Sequence, residues 1–284
     1  MWLLRLCYRV PIDAFDRFNA DDAWALASHI ALSALMSLFP FLILVTTLAG
    51  FFGTHELADE VARILLEAWP SQVAEPIAAE IRNVLTTARG DLLTIGIAFA
   101  IFFASSGIDS LRIGLNRAYG VAEARGWWLL KLESIAYVVV AAVALLALAF
   151  LVVLAPLIFA TAVRYATWIA PLEPTFNFLR FAVVAVVLIV ALFIAHKWLP
   201  SGRRRVAEIA PGIVVTLVLW LIAGELFGGY LAGFAYTYVT YYAGLASAMI
   251  ALVFLYLTAS IFIYGAELNA AVAQVRTPSP PSIG

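Results

Sequence analysis

Glu225 is the most deeply placed acid in a chain whose apolar segments contain few acids. It lies inside the apolar run at 209–234, in the sequence Gly-Glu-Leu-Phe-Gly-Gly. Moving a charge to the middle of a bilayer costs about 2.5–3.5 kcal/mol on insertion scales, so such a group is expected to face the protein interior and to have a partner. Glu225 therefore has two interpretations. Either it binds a cation or a proton, or it forms a hydrogen bond to a neighbouring helix.

Four glycines flank Glu225 at a spacing typical of close helix packing. Gly224 and Gly228 form one GxxxG pair, and Gly229 and Gly233 form a second. Small residues four positions apart let two helices approach closely. The pattern predicts tight packing of this face and favours the structural role for the acid.

A second set of polar residues is predicted to lie at one depth. If both termini are cytoplasmic, the first spanning segment has His29 near its inner boundary and the second reaches that boundary at Asp109. The sixth segment leaves the membrane through Glu267 and Asn269. We expect these four side chains to form either a polar vestibule or an ion-pair latch between helices. Together with Glu225 they are candidates for a polar path. The alternative is that each one reaches the lipid headgroups separately, as long polar side chains do near helix ends.

Motifs for hydrolytic or metal-dependent catalysis are absent from the sequence. His29, His55 and His196 lie in separate segments, and Cys7 is the only cysteine. A single cysteine excludes an intramolecular disulfide and a thiolate metal cluster. There is no HExxH, no GxSxG and no aspartate pair on adjacent helices. RNA cleavage needs clustered metal ligands in water and a basic surface, whereas the arginines at 203–205 are more simply interpreted as topology determinants. We expect no catalytic residue, no metal, no cofactor, no nuclease activity and no nucleic-acid partner.

The elements that would position these side chains are six apolar runs, each long enough to cross a bilayer. A helix rises about 1.5 Å per residue and the hydrocarbon layer is about 30 Å thick, so about 20 apolar residues are enough. Only 12% of the residues are charged and 64% are hydrophobic, whereas a soluble domain has about a quarter charged residues. The sequence predicts an all-α, polytopic membrane protein whose immediate partners are membrane lipids. The six predicted transmembrane helices are at 23–52, 92–108, 134–163, 176–198, 209–234 and 243–275.

The distribution of lysine and arginine predicts the orientation, because these residues accumulate on the cytoplasmic side. Of the 17 basic residues, twelve lie in the N-terminal segment, the second and fourth connections and the C-terminal tail. The other five fall on the opposite side. Both termini are therefore predicted in the cytoplasm.

Three further segments complete the predicted organisation around the transmembrane domain at 23–275. Residues 1–22 form an amphipathic cytoplasmic segment that either lies among the lipid headgroups or packs on the end of the bundle. Residues 53–91 have two apolar stripes at helical spacing and predict an exterior helical hairpin. The tail at 276–284 is predicted to be disordered. Pro40 and Pro156 predict kinks in the first and third spanning helices, because proline removes a backbone donor.

Several segments resemble the YihY family, also called the virulence-factor BrkB family and formerly described as ribonuclease BN. The resemblance extends over 15–275, and its most distinctive part is Gly-Ala-Glu-Leu-Asn at 265–269. One departure is Tyr-Ala-Gly at 242–244, where the family more usually has a Tyr-Gly pair. The resemblance implies a six-helix bacterial inner-membrane protein with a role in transport or in the cell envelope. Its other marks are Ala-Leu-Ser at 31–33, Ser-Leu-Phe-Pro at 37–40, the stretch 111–119 with Asn116, Pro211 with Gly212, and Phe227 with Tyr230.

Two functional hypotheses follow from these patterns. The leading one is a permease or exporter of a small or amphipathic solute, lipid included, with the polar residues placed along its path. The alternative is a structural or assembly factor of the cell envelope, whose polar residues hold helices together and which transports nothing. Either protein is compatible with a homo-oligomer.

Overall fold

The structure, a computed structural model, describes residues 2–52, 90–149, 151, 155–242 and 246–276. Within these ranges the ordered elements are helical and no strand occurs, which confirms the predicted all-α class. The α-helices are α1 (Trp2–Ala20), α2 (Ala23–Phe52), α3 (Gly90–Ala118), α4 (Trp127–Ala149), α5 (Ala155–Tyr165), α6 (Glu173–Trp198), α7 (Val206–Tyr242) and α8 (Ala246–Arg276). A 3-10 helix, Thr167–Leu172, precedes α6.

Five helical stretches are long and apolar enough to cross a membrane. A further stretch, Ala23–Leu38, is apolar but shorter, although α2 as a whole contains 30 residues. Among the described residues the chain is therefore a polytopic helical membrane protein with five such spans, and the sixth stays a prediction. The five are Ala98–Ala118, Trp127–Leu148, Thr167–Trp198, Val206–Leu231 and Ala248–Val275.

The helix boundaries differ from the predicted runs at several ends, and α7 continues to Tyr242, eight residues beyond the predicted end at 234. Helix α3 continues to Ala118, ten residues beyond the predicted end at 108. Within the run at 134–163 the structure describes α4, which begins earlier at Trp127, and α5; the residues just before Ala155 lie outside the described ranges, so the kink predicted at Pro156 stays a prediction. Pro40 lies within α2, which continues to Phe52, so the kink predicted there stays a prediction. Most of the predicted hairpin at 53–91 and the tail after Arg276 lie outside the described residues.

Helix α1 packs on the bundle through one apolar face. Val10, Ala14 and Phe18 repeat at helical spacing and are buried. Of the two predicted locations for this segment, the structure therefore shows packing on the bundle. The opposite face exposes Tyr8 and Phe15. The residues of α8 that pack against α1 are Leu268, Ala271 and Val272.

A buried apolar layer joins α2, α3, α6, α7 and α8 near the end of the bundle where α1 lies. We call this end, formed by α1, the α3–α4 connection, the α6–α7 connection and the last turns of α8, the basic end. Each helix contributes at least one residue to a single packed cluster that excludes water, and this cluster fixes the helices beside the polar groups described next. The layer includes Ile30, Leu115, Leu192, Ile209 and Ile263.

Candidate functional site

Asn269 links α7 and α8 where these two helices approach closely. Its side-chain Oδ1 accepts a hydrogen bond from the backbone N–H of Gly212 at 2.6 Å. A Cβ atom on Gly212 would overlap the carbonyl oxygen of Gly265 and the amide of Asn269, so the approach requires glycine here. Asn269 is only 1% exposed, and its contact with Gly212 fixes which way the amide faces.

Tyr119 follows directly after α3 and is held in place by the turn that ends that helix. Gly120 has a φ of +62°, and its N–H donates to the carbonyl of Arg117. The N–H of Val121 donates to the carbonyl of Asn116. This pattern is a Schellman motif, in which glycine adopts the left-handed conformation that side-chain-bearing residues disfavour. The turn thus sets the position of Tyr119 at the end of α3.

A chain of hydrogen bonds runs from Asn269 through Tyr119 to His196. Asn269 Nδ2 donates to the Tyr119 hydroxyl at 3.1 Å, and this hydroxyl lies 2.8 Å from His196 Nδ1. Burial raises the pKa of Tyr119 to about 12, against the opposing effects of the Asn269 hydrogen bond and the Arg204 charge, so the hydroxyl keeps its proton at neutral pH. Tyr119 Oη and His196 Nδ1 share one hydrogen bond, whose direction is set by the histidine tautomer. His196 is fully buried, and its Nε2 has no hydrogen-bond partner among the described residues.

Glu267 is a fully buried carboxylate whose partner comes from α1. Arg17 Nε donates to Glu267 Oε2 at 3.1 Å, and Arg17 Nη2 donates to the carbonyl of Ala118 at 3.3 Å. Ala118 ends α3, where carbonyls lack intrahelical donors and a cation is favourable. One arginine therefore joins α1, α3 and α8. The second carboxylate oxygen, Oε1, accepts no hydrogen bond from a donor in the described part of the chain, and the Asp21 carboxyl lies close to Glu267.

Two cavities open at the basic end, and Arg17 lines both of them. One has a volume of about 300 Å³, and its walls include Tyr119, Arg203, Arg204 and Asn269. The other has a volume of about 440 Å³ and continues along the α3–α4 connection. These volumes fall within the range of about 300–1,000 Å³ that is typical of small-molecule sites.

Arg204 is held over the ring of Tyr119 at the wall of the smaller cavity. Its Cζ lies 3.9 Å from the ring centroid, well within the distance at which a cation is attracted to an aromatic face. Partial burial lowers the pKa of Arg204, while the neighbouring Tyr119 and Glu208 act in the opposite direction. The guanidinium still carries its charge at neutral pH, because an arginine pKa lies so far above 7. Its Nη1 is buried and has no partner among the described groups.

Asp109 belongs to a different cluster, which joins α3 to α4. Its Oδ1 accepts hydrogen bonds from Arg112 Nη1 at 3.1 Å and from Ser134 Oγ at 2.5 Å. Its Oδ2 accepts one from Lys131 Nζ at 3.0 Å. Arg112 also donates to Ser134 Oγ at 2.7 Å. Both carboxylate oxygens are thus paired, and the cluster acts as a link between two helices.

Arg125 extends this link to the α6–α7 connection. Its Nε and Nη2 donate to the two carboxylate oxygens of Glu123, each at 2.8 Å, and its Nη1 donates to Glu133 at 2.8 Å. Nη2 also donates to the carbonyl of Leu199 at 3.0 Å. The paired hydrogen bonds from Arg125 lower the pKa of Glu123 to about 2. Arg125, Glu123 and Glu133 therefore form an ion-pair network.

His29 lies apart from both clusters, on an exposed part of α2. Its Nε2 is 3.4 Å from the hydroxyl oxygen of Ser110 on α3. Of the four residues predicted to share one level, the structure places Glu267 and Asn269 at the basic end, where Arg17 pairs with Glu267 and lines the smaller cavity together with Asn269. We call Arg17, Tyr119, His196, Arg204, Glu267 and Asn269 the polar cluster. Asp109 and His29 have other neighbours.

Glu225 lies on an exposed face of α7. The flanking Gly224, Gly228, Gly229 and Gly233 are exposed as well, and a Cβ added at any of them would meet no described atom within 4 Å. The expected close packing of this face on another helix is therefore absent from the described part of the chain. The roles suggested for Glu225 and for the glycines stay predictions.

The polar cluster also contains residues that sequence analysis did not select. They are Arg17 and Arg204, which the sequence pattern assigns only to topology, and Tyr119 and His196, which lie in separate segments. A signal was nevertheless present. Three of the stretches that carry the family resemblance, at 111–119, 211–212 and 265–269, are the ones that meet around Asn269.

Comparison with known proteins gives one family and two relatives of similar length. The family model described as virulence factor BrkB matches residues 14–282. A ribonuclease-like protein, YfkH of Bacillus subtilis, is 25% identical over 267 residues, which is 91% of this chain and 93% of that protein. The UPF0761 membrane protein IL2447 of Idiomarina loihiensis is 24% identical over 281 residues, which is 94% of this chain and 92% of that protein. No solved structure matches.

The match to the family extends over nearly the whole chain, and it agrees with the multi-pass helical architecture described above. This protein is therefore a multi-pass membrane protein that belongs to the virulence factor BrkB family.

Proposed function

We propose that this protein moves a small or amphipathic solute, lipid included, across a bacterial inner membrane. One observation carries the proposal: a cavity at the basic end adjoins a buried polar cluster in which, among the described groups, Glu267 Oε1 lacks a hydrogen-bond donor and His196 Nε2 lacks a partner. A buried polar atom without a partner costs about 1–3 kcal/mol. A cluster that served only to join helices would be expected to pair these atoms. Tyr119 and Asn269 join these buried groups to the cavity wall, so a path through the cluster would bring a solute to atoms that lack a partner.

The proposal includes an orientation and a sixth span. The basic end carries Arg17, Arg117 and the arginines at 203–205, which favours the cytoplasmic side for this end. Helix α2, with 30 residues, then crosses as the first of six helices, and both termini are cytoplasmic. The cavities accordingly open toward the cytoplasm.

Nuclease activity is not part of the proposed function, although one relative is named ribonuclease-like. The histidines of the chain lie in separate segments, and the described ones have different neighbours: His29 is close to Ser110 and His196 to Tyr119. Metal-dependent RNA cleavage needs several such ligands at one point. We infer that the protein is not an enzyme.

The alternative, a structural or assembly factor of the cell envelope, is favoured by one observation. The cluster around Asp109 has both carboxylate oxygens paired, as expected when polar side chains only join helices. If the whole basic end had this purpose, removing the charge of Glu267 would change stability but no flux.

Reconstitution into liposomes tests transport. The probe is phosphatidylglycerol with a fluorescent nitrobenzoxadiazole label, whose movement between leaflets is measured by dithionite quenching. We expect the unmodified protein to give flux above that of empty liposomes. In Glu267→Gln we expect the flux to fall about tenfold, because a loss of about 1.4 kcal/mol of interaction changes a rate by a factor of ten. Glu173→Gln, at an exposed acid at the start of α6, is the matched control and should leave the flux unchanged. Equal flux in the two variants at equal protein levels would speak for the assembly factor.

A further inference from the structure

The smaller cavity has an excess of cationic groups in its walls. Arg17, Arg203 and Arg204 line it, and Glu208 is its acidic lining residue. Glu208 Oε2 already accepts the backbone N–H of Arg205 at 2.8 Å, at the start of α7. The buried acid nearby is likewise engaged, because one of its oxygens accepts the hydrogen bond from Arg17.

The arginines of the α6–α7 connection, in contrast, have unused donors. Among the described residues neither Arg203 nor Arg204 forms a salt bridge. Arg204 is nevertheless oriented, since its guanidinium lies over the ring of Tyr119 and its Nη1 is buried without a partner. Orientation reduces the entropy that a ligand must remove on binding. An ordered arginine with free donors is suited to an anion.

The neighbouring neutral groups are also donors or can act as donors. Ser201 and Asn269 line the same cavity, and Ser201 is fixed because its backbone N–H donates to Asn116 Oδ1 at 2.7 Å. A phosphate group presents acceptor oxygens, and the planar guanidinium matches this geometry with two parallel hydrogen bonds. A simple cation would instead meet three positive charges.

We propose that this cavity binds a phosphate-bearing anion, either a lipid headgroup or a soluble phosphate ester, through Arg204 and Arg203. A volume of about 300 Å³ accommodates a phosphate with a short polar substituent. Arg17 lies at the junction with the second cavity, where a larger substituent extends. The inference names the ligand class for the transport proposed above and rests on that proposal.

Isothermal titration of the purified full-length protein in a non-ionic detergent tests the site. The probes are glycerol 3-phosphate for a soluble ester and dihexanoyl phosphatidylglycerol for a headgroup, with dihexanoylglycerol as the uncharged control. Arg204→Gln should weaken binding of the phosphate probes at least tenfold, because it removes both the charge and the paired donors. Arg205→Gln is the matched control. The side chain of Arg205 is exposed and does not line the cavity, so the affinity for the phosphate probes should change less than twofold.

The outcomes separate the ligand sources and the two proposals. Binding of both phosphate probes, weakened in Arg204→Gln, supports a site for soluble esters; binding of the lipid probe alone supports a headgroup site. If neither probe binds the unmodified protein, or if the two variants behave alike, the phosphate site is refuted. If Arg204→Gln does not fold, Arg203→Gln replaces it with the same expected direction. Specific binding without flux in liposomes would overturn the transport proposal and leave the binding site standing.

Discussion

Replacing Arg17 with glutamine would separate Glu267 from its only described cationic partner. The change removes the 3.1 Å hydrogen bond to the carboxylate and the 3.3 Å hydrogen bond to the carbonyl of Ala118. Breaking a buried ion pair by removing one partner typically costs 3–5 kcal/mol, because the remaining charge is left uncompensated. Arg17 is 26% exposed, so water replaces part of the interaction, and we expect a loss of about 2–4 kcal/mol in the free energy of unfolding.

The assay is denaturant unfolding in detergent micelles, followed by tryptophan fluorescence. Arg9→Gln is the matched control, since Arg9 lies on α1 as well but is exposed, and it should change the unfolding free energy by less than about 0.5 kcal/mol. Adding Glu267→Gln to Arg17→Gln should restore at least about 1 kcal/mol, because a neutral amide is less costly to bury than a lone carboxylate. Equal effects of Arg17→Gln and Arg9→Gln, or no recovery in the double variant, would refute the role assigned to this pair.

Two further predictions concern helix packing and pH. Gly212→Ala should lower the free energy of unfolding by about 1–3 kcal/mol, because its Cβ would overlap Gly265 and Asn269. Gly224→Ala, where no described atom lies within 4 Å, should leave the free energy of unfolding unchanged or raise it by up to about 1 kcal/mol, because alanine is the better helix former. Thermal unfolding in detergent compares the two variants, and equal midpoints would contradict the close contact. Glu123 has a pKa lowered to about 2 by Arg125, so its contribution to stability is present above its ordinary pKa near 4.5 and is lost as the pH falls toward 2. The stability difference between the unmodified protein and Glu123→Gln should therefore shrink between about pH 4.5 and pH 2, and a difference that stays constant over this interval would show that the ion pair with Arg125 is not formed.

Hydrophobic run length predicted most of the helices because a spanning helix must satisfy its backbone internally and present apolar side chains along its whole length. The first predicted run, 23–52, has the same bounds as α2. The fourth predicted run, 176–198, begins three residues after the start of α6 and ends with it. Helix α3 was predicted too short, because the hydrophobic criterion stops at Asp109. The structure shows that the polar residues beyond it are paired with α4, which allows the helix to continue.

The candidate site was predicted less well, because depth along a helix does not define direction around it. Asp109 and Glu267 were assigned to one level, yet the first contacts α4 and the second contacts α1. Glu225 illustrates the same limit: apolar neighbours are expected both for a helix face in the protein interior and for one toward lipid, so hydropathy does not separate the two. Tyr119 and His196 meet across a separation of 77 positions, which no local pattern reveals.

The pairing of Arg17 with Glu267 has a consequence for biosynthesis. The two residues are 250 positions apart. Helix α1 with Arg17 is therefore synthesised long before α8, which carries the carboxylate that pairs with it. Assembly of this corner must wait until α8 has been synthesised. Closure of the bundle at this corner is thereby tied to the synthesis of α8, and a polypeptide that stops before α8 would carry Arg17 without its carboxylate.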